Sequence, residues 1–400
     1  MTIALKHKQL VLGVCGGIAA YKSVELLRLL VKAGASIQVL MTKNAGHFVG
    51  PLTFEALSGK KVCTSLFDPH ESAAVQHIQW AEDADAVIVA PATANFIGKL
   101  ANGIADDPLS TFMLAVTSPV MLCPSMNTNM YASEPVQSNL HRLKEYGFSI
   151  LSPEAGELAC GATGPGRLPE PEYIFDRIHN LMTPKDLKHK RVLVTAGPTR
   201  EAIDPVRFIS NPSSGKMGYA LARAAEMRGA RVTLISGPTT LLPPNNVEFV
   251  SITTADQMYD AVLKHAENND IIIKSAAVAD YKPAHSAAHK VKKSQGQETL
   301  VLDRTRDILK SISRSSNHQI LVGFAAETRN LDEFARMKLE SKQLDLIVGN
   351  LIGSEGTGFE VDTNQVNLYF KGGSKTSLDV MPKADLAHVI LDHIEKLILS

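Results

Sequence analysis

The chain of 400 residues has no net charge, few cysteines and no long apolar run, and each shortage closes off a class of function. Lys and Arg total 41 against 41 for Asp and Glu, so no bulk field favours a nucleic-acid backbone. No stretch approaches the roughly 20 apolar residues that span a bilayer, and Met1 to Gln9 lacks the apolar core of a signal peptide. Cys15, Cys63, Cys123 and Cys160 show neither CxxC spacing nor paired histidines, which argues against a zinc site and a disulfide framework. Also missing is a GxGxxG turn followed by an acidic residue about 20 positions on, the pattern of a dinucleotide oxidoreductase. These absences predict a cytoplasmic protein with no nucleic-acid or membrane partner. Its length suits two or three domains, each able to bury its own core.

What is present is a nucleotide-binding beginning, and it occurs twice. The apolar run Leu10 to Val14 ends in Cys15-Gly16-Gly17, and a helical pattern follows from Ile18. At Arg191 a second run, Val192-Leu193-Val194-Thr195, enters Ala196-Gly197-Pro198 and a long polar loop before its helix near Gly215. A strand, a glycine turn and a helix start together suit an anionic phosphate, because unpaired N–H groups point outward there. Two such turns with different loops indicate two reactions on one chain.

Buried parallel strands are expected at Ile37–Met41, Ala86–Ala90, Val120–Cys123, Arg231–Ile235, Ile271–Lys274, Ile320–Gly323 and Leu346–Val348. Helical patterns fit Ile18–Ala33, Leu52–Leu57, Pro108–Ala115, Tyr173–Met182, Lys216–Arg228, Ala255–Glu267, Leu331–Ser341 and Lys383–Leu399. Gln365–Phe370 and Ser377–Val380 read as a hairpin around Gly372-Gly373. The fold class is therefore α/β, doubly wound, with ligands at the C-terminal strand ends. Ser152 to Glu172 is rich in Gly, Pro and Glu, a composition for a flap. Thr183 to Lys190 is polar and serves as a linker. Pro198–Ser214 and Ala279–Glu298 are too long for plain connections, which marks them as functional loops.

Several polar residues stand where such a fold would use them. Gly16, Gly17 and Ile18 allow close backbone approach to a phosphate, although a tight turn alone would look the same. Thr42, Thr93 and Asn95 each follow an apolar strand and would rim a phosphate or ring site. His77 carries a titratable ring, and a lone histidine is more often a surface group. Asn127, in PSMNTNMY, offers either an amide donor or a turn cap. Cys160, flanked by glycine in the flap, has the setting of a reactive thiol. In the second half, Ser213-Ser214-Gly215-Lys216 reads as helix N-capping, with Lys216 opposing the dipole unless an anion is near. Asp204, Arg207 and Asn211 precede it. Lys290, Lys292 and Lys293 suit a triphosphate or are a solvated run. Lys338 and Lys342 lie one helical turn apart, and Asp280 follows Ala276-Ala277-Val278-Ala279, placed for a ribose hydroxyl or a metal ion.

Taken in order, these blocks resemble the bifunctional coenzyme A biosynthesis enzymes of bacteria, which join a phosphopantothenoylcysteine decarboxylase to a phosphopantothenate–cysteine ligase. GVCGGIAAYK, the His77 segment, APATANF, PSMNTNMY and ACGATGPGR match the flavin-dependent cysteine decarboxylases. TAGPTREAIDPVRFISNPSSGKMG, AAVADY, KVKK, GFAAET and the Lys338/Lys342 pair match the ligase half, so the resemblance covers essentially the whole chain. It implies a flavodoxin-like or Rossmann-like flavoprotein domain over residues 1–185 and a Rossmann-like ligase domain over 186–400. It implies FMN held by Gly16, Gly17, Ile18, Thr42, Thr93, Asn95, Ser125 and Met126. His77 would be the base, Asn127 the carboxylate binder and Cys160 the proton donor. For the ligase it implies CTP with Mg2+ or Mn2+, Asp280 holding the metal, and 4′-phosphopantothenate and cysteine as partners. Ala276, Ala277, Asp280, Lys290, Thr305, Arg306, Asp307, Ile308, Phe324, Lys338 and Lys342 would bind the nucleotide. Lys290 would assist acyl-cytidylate formation, and Arg207 and Asn211 would bind the substrate, Asn211 acting on the intermediate. The resemblance also implies a homo-oligomer of decarboxylase trimers and ligase dimers, up to a dodecamer.

Four places depart from the family pattern. Cys15 stands where threonine is common, which bears on flavin phosphate contacts, and Tyr131 replaces tryptophan at the flavin edge. Thr305-Arg306 replaces Asn-Pro in the nucleotide turn, and Asn350-Leu351 lacks an aspartate. A ligase with a merely regulatory flavin domain is the competing reading, which intact His77, Asn127 and Cys160 disfavour.

Overall fold

A computed structural model describes residues 5–66, 76–157, 161, 163–292, 299–313, 319–327, 329–351 and 361–399. Cys160 and Lys293 lie outside the described residues. The chain divides into two compact units, Met1–Thr183 and Pro184–Ser400.

The first unit is built on strands β1 (Gln9–Val14), β2 (Ser36–Met41), β3 (Ala86–Ala92), β4 (Val120–Pro124) and β5 (Ser149–Ile150), all parallel, in the order β2-β1-β3-β4-β5. Their apolar runs do not alternate because helices cover both faces. Leu12 and Val14 face one core layer, with Leu26, Leu27 and Leu30 of helix α1 (Ala20–Lys32). Val11 and Cys15 face the other, with helices α4 (Ala94–Ala101) and α5 (Pro108–Ala115). Helices α2 (Pro51–Ser58), α3 (Gln76–Asp83), α6 (Thr128–Ala132), α7 (Glu134–Glu145) and α8 (Pro171–Met182) complete the layers. Local signals set the boundaries: Asp107 closes a capping box ahead of Pro108, and Gly59 at φ +71° ends α2. The expected flap is an antiparallel ribbon, β6 (Glu154–Glu157) with β7 (Thr163–Arg167).

The second unit carries eight strands in the order β12-β11-β8-β13-β16-β17-β18-β19. These are β8 (Arg191–Ala196), β11 (Arg231–Ser236), β12 (Glu248–Ser251), β13 (Ile271–Lys274), β16 (Ile320–Glu327), β17 (Leu346–Leu351), β18 (Thr363–Phe370) and β19 (Lys375–Pro382). The first six are parallel and the last two form the expected antiparallel hairpin. Helices α9 (Lys216–Met227) and α13 (Lys383–Leu399) cover one face; α10 (Ala255–Ala266), α11 (Ile308–Ser313) and α12 (Leu331–Ser341) cover the other. Two expected loops prove partly structured. Pro198–Ser214 contains the ribbon β9 (Arg200–Ala202) with β10 (Phe208–Ser210), and Ala279–Glu298 begins β14 (Tyr281–Pro283), which pairs with β15 (Leu302–Arg304). No described helix is long and apolar enough to cross a membrane.

Candidate functional sites

In each unit the strand order reverses once, between β1 and β3 and between β8 and β13. Connections leave such a point in opposite directions and open a crevice at the carboxyl ends of the strands. Both candidate sites sit there.

In the first unit a cavity of about 930 Å3 is bounded by the turns after four strands: Gly16 to Ala19, Thr42 to Asn44, Thr93 to Phe96 and Ser125 to Asn127. It therefore gathers Gly16, Gly17, Ile18, Thr42, Thr93, Asn95, Ser125, Met126 and Asn127. A Cβ on Gly16 would lie 2.5 Å from Cβ of Asn44, so only glycine allows that approach. Gly17 opens onto space, its nearest outside atom being Thr93 Cγ2 at 3.9 Å. No described side chain caps α1, which leaves the glycine turn for a ligand. Asn127 realises the capping alternative, since its Oδ1 accepts from Asn129 N at 2.9 Å, while it also lines the cavity.

The ribbon is fastened to this cavity. Met126 N and Ser125 Oγ both donate to Gly166 O, at 3.0 and 3.3 Å. A Cβ on Gly166 would stand 2.2 Å from Met126 O, at φ +152°, so glycine is required. Lys22, only 4% exposed, donates to Leu168 O and to Glu170, both at 2.9 Å. The Lys22 ammonium in turn holds the Glu170 carboxyl below its usual range.

Other residues stand elsewhere than expected. His77 lies half-buried on α3 and does not line the cavity. Cys15 is fully buried against the α4–α5 layer, where strand alternation turns it, and bonds to Thr93 of the cavity rim; burial pushes its thiol up to about 12. Tyr131 packs half-buried against the same layer. Lys99, absent from the sequence expectation, does line the cavity and pairs with Asp106 at 2.6 Å and Asp107 at 3.0 Å. Its signal was available: Lys99 falls one turn after Asn95 on α4.

In the second unit the AAVAD segment runs past the switch point. Ala276 N donates to Thr195 Oγ1 at 3.2 Å, Ala277 N to Gly197 O at 3.0 Å and Ala279 N to Thr199 Oγ1 at 3.1 Å. Asn211 Nδ2 donates to Val278 O at 3.0 Å, which brings the ribbon loop to the same place. Thr305 N donates to Asp280 O at 3.0 Å, and its hydroxyl donates to Ala279 O at 2.7 Å. From α12, Lys338 Nζ donates to Phe324 O at 3.0 Å and Lys342 pairs with Asp307. Thus Asn211, Ala276, Ala277, Asp280, Thr305, Asp307, Phe324, Lys338 and Lys342 are gathered.

Four expectations change here. Arg207 is engaged within the protein: its Nη2 donates to Asp204 Oδ2 at 2.6 Å and to Val291 O at 2.9 Å. That guanidinium holds the buried Asp204 carboxyl well below the usual range. Ser213 and Ser214 do not cap α9. The cap is Gly215 at φ +77°, and the hydroxyls accept from Gly215 N and Lys216 N at 3.3 and 3.5 Å. Lys216 pairs with Asp362 at 2.6 Å, a protein carboxylate where an outside anion was expected. Arg306 turns away to α10, pairing with Asp256 at 2.8 Å and Asp260 at 2.9 Å and lying 4.0 Å over the Tyr259 ring. It anchors the nucleotide turn from outside. Lys290 and Lys292 are exposed. Lys274, at the end of β13, went unnoticed in the sequence because a lysine closing an apolar strand reads as solvated.

Residues 3–183 match the Flavoprotein family, and residues 187–398 match the DNA/pantothenate metabolism flavoprotein C-terminal domain. Over 397 residues the chain is 50% identical to the coenzyme A biosynthesis bifunctional protein CoaBC of Bacillus subtilis (strain 168), with 98% of each chain covered. It is 45% identical over 397 residues to the protein of the same name from Escherichia coli (strain K12), again with 98% of each covered. A solved C-terminal domain of a CoaBC protein shares 44% identity, covers 53% of this chain and 97% of its own, and superposes with a TM-score of 0.47. The chain belongs to the family of coenzyme A biosynthesis bifunctional proteins.

Proposed function

We propose that the second unit joins 4′-phosphopantothenate to cysteine with CTP, and that the first unit decarboxylates the resulting 4′-phosphopantothenoylcysteine to 4′-phosphopantetheine. The observation that carries this reading is the pair of unlike sites, each at its own switch point. One is a glycine-floored cavity fit for a flat ring and a phosphate; the other is a lysine cluster fit for a triphosphate.

The cavity fits FMN. Its size suits a cofactor, the Gly16-Gly17 turn admits a phosphate, and Thr42, Thr93 and Asn95 supply polar groups at strand ends. FMN, when bound, supplies a hydride acceptor and later a hydride donor. Asn127 orients the substrate carboxylate at the cavity wall, the Cys160 thiol delivers a proton, and His77, which stands on α3 outside the cavity lining, is assigned as base on the family resemblance alone. Carbon dioxide leaves readily once the carboxylate is β to an electron-poor thiocarbonyl, which takes up the electron pair left on the intervening carbon as an enethiolate.

In the second unit Lys290 stabilises charge as the substrate carboxylate attacks the nucleotide and pyrophosphate leaves, and Asn211 orients the acyl-cytidylate for attack by the cysteine amine. Asp280 would hold Mg2+ or Mn2+ through its carboxylate, a hard oxygen donor suited to such ions, and the metal would supply neutralisation of phosphate charge. Thr305, Asp307, Phe324, Lys338 and Lys342 frame the nucleotide, Arg306 and the buried Ile308 anchor that turn, and Arg207 shapes the substrate loop through Asp204. We place the enzyme in the cytoplasm as a homo-oligomer with decarboxylase trimers and ligase dimers.

Purified protein is expected to be yellow, with one flavin per chain released on denaturation. Gly16→Ala, which forces a Cβ into Asn44, should yield folded, colourless protein with full ligase activity. Colourless wild-type protein that takes up no FMN would defeat the reading.

A further inference from the structure

Three lysines converge on one face of the second sheet, and the family resemblance accounts for two. The third, Lys274, closes β13 in register with Thr195 of β8 and Gly323 of β16, and alternation from Ile272 turns it toward the α10–α12 face. We infer that the Lys274 ammonium is a third phosphate contact of the nucleotide site, an inference that rests on the ligase reading above.

The distribution of partners carries it. Lys338 satisfies its ammonium on Phe324 O and Lys342 on Asp307, whereas no hydrogen bond or ion pair joins Lys274 Nζ to another described residue. Lys338 and Lys342 repel its charge, and Asp280 alone attracts it. Burial, then Lys338, push the amine down to about 8, with Asp280 opposing. An unpaired, half-buried ammonium beside two others costs folding stability. A lysine kept only for structure would meet a carbonyl or carboxylate, as Lys383 meets Val361 O at 2.6 Å. A polyphosphate supplies the counter-charge that Lys274 lacks, at the strand ends where the AAVAD segment and the Thr305 turn meet.

Lys274→Met keeps the unbranched stem and removes the charge. In the full-length holoenzyme three quantities decide the matter: the unfolding midpoint of the second unit without nucleotide, its rise on adding CTP with Mg2+, and the ligase KM for CTP. The variant should melt higher than wild type without nucleotide, show a smaller nucleotide-induced rise, and need about tenfold more CTP. Its rate of decarboxylation should not change. A lower nucleotide-free midpoint with unchanged KM would make Lys274 a structural residue and overturn the inference. An unchanged KM with a higher midpoint overturns it equally. Lys338→Gln separates the two levels: if it loses CTP affinity while Lys274→Met keeps it, only this inference falls. If both variants bind CTP normally, the nucleotide site itself is misplaced and both fall.

Discussion

Cys160→Ala is expected to retain its flavin and release carbon dioxide, yet accumulate the unsaturated thiol instead of 4′-phosphopantetheine. Steady-state formation of the reduced product should fall by about 10^2 to 10^4, the usual worth of a positioned proton donor. The argument begins with the ribbon. Glu157 of β6 pairs with Thr163 of β7, and Cys160 lies in the connection between them. At its foot the ribbon is bonded to the cavity wall through Gly166 O, and beyond it Lys22 fixes Leu168 and Glu170. The described strands on either side of Cys160 are thus fixed at the cavity wall. Product analysis by mass spectrometry distinguishes the stalled thiol from the reduced one. Normal turnover of Cys160→Ala removes that residue from the chemistry.

Lys290→Gln is expected to lower ligation by about 10^2- to 10^3-fold, a loss typical of one group that stabilises developing charge. Decarboxylation of supplied 4′-phosphopantothenoylcysteine should continue at the wild-type rate. The loop bearing Lys290 is held on both sides. Ala287 N donates to Ile203 O at 2.9 Å, and Val291 N donates to Asp204 Oδ2 at 3.2 Å. The Lys290 side chain remains exposed, so glutamine there changes charge and little packing. Because the two sites belong to separate units, equal loss of both activities would indicate misfolding instead. Measuring both on one preparation resolves the point.

Much of the architecture was legible because its signals are local. Continuous β-branched runs such as Ile271 to Ile273 mark buried parallel strands, and Leu331–Ser341 and Lys383–Leu399 form helices over the bounds their periodicity predicts. The paired ribbons escaped notice because strands of three residues, such as Arg200–Ala202, are too short to show a period. Polar residues directly after strands, Thr42, Thr93 and Asn95, were readable as cavity rims because a turn after a parallel strand has one place to go. What could not be read was how polar groups are spent. Arg207 on Asp204, Lys216 on Asp362 and Arg306 on Asp256 each depend on a partner made adjacent only by the fold. Lys274 is the converse: its consequence lies in having no such partner, and sequence spacing carries no trace of that.

Two chemistries on one polypeptide can be tested in a single vessel. The purified full chain is incubated with 4′-phosphopantothenate, cysteine, Mg2+ and either CTP or ATP, while pyrophosphate and carbon dioxide are followed separately. We expect pyrophosphate to appear first, to require cysteine for sustained release and to be favoured by CTP, with carbon dioxide following toward one equivalent per pyrophosphate. Absence of pyrophosphate with every nucleotide, or pyrophosphate never followed by carbon dioxide, would contradict the account.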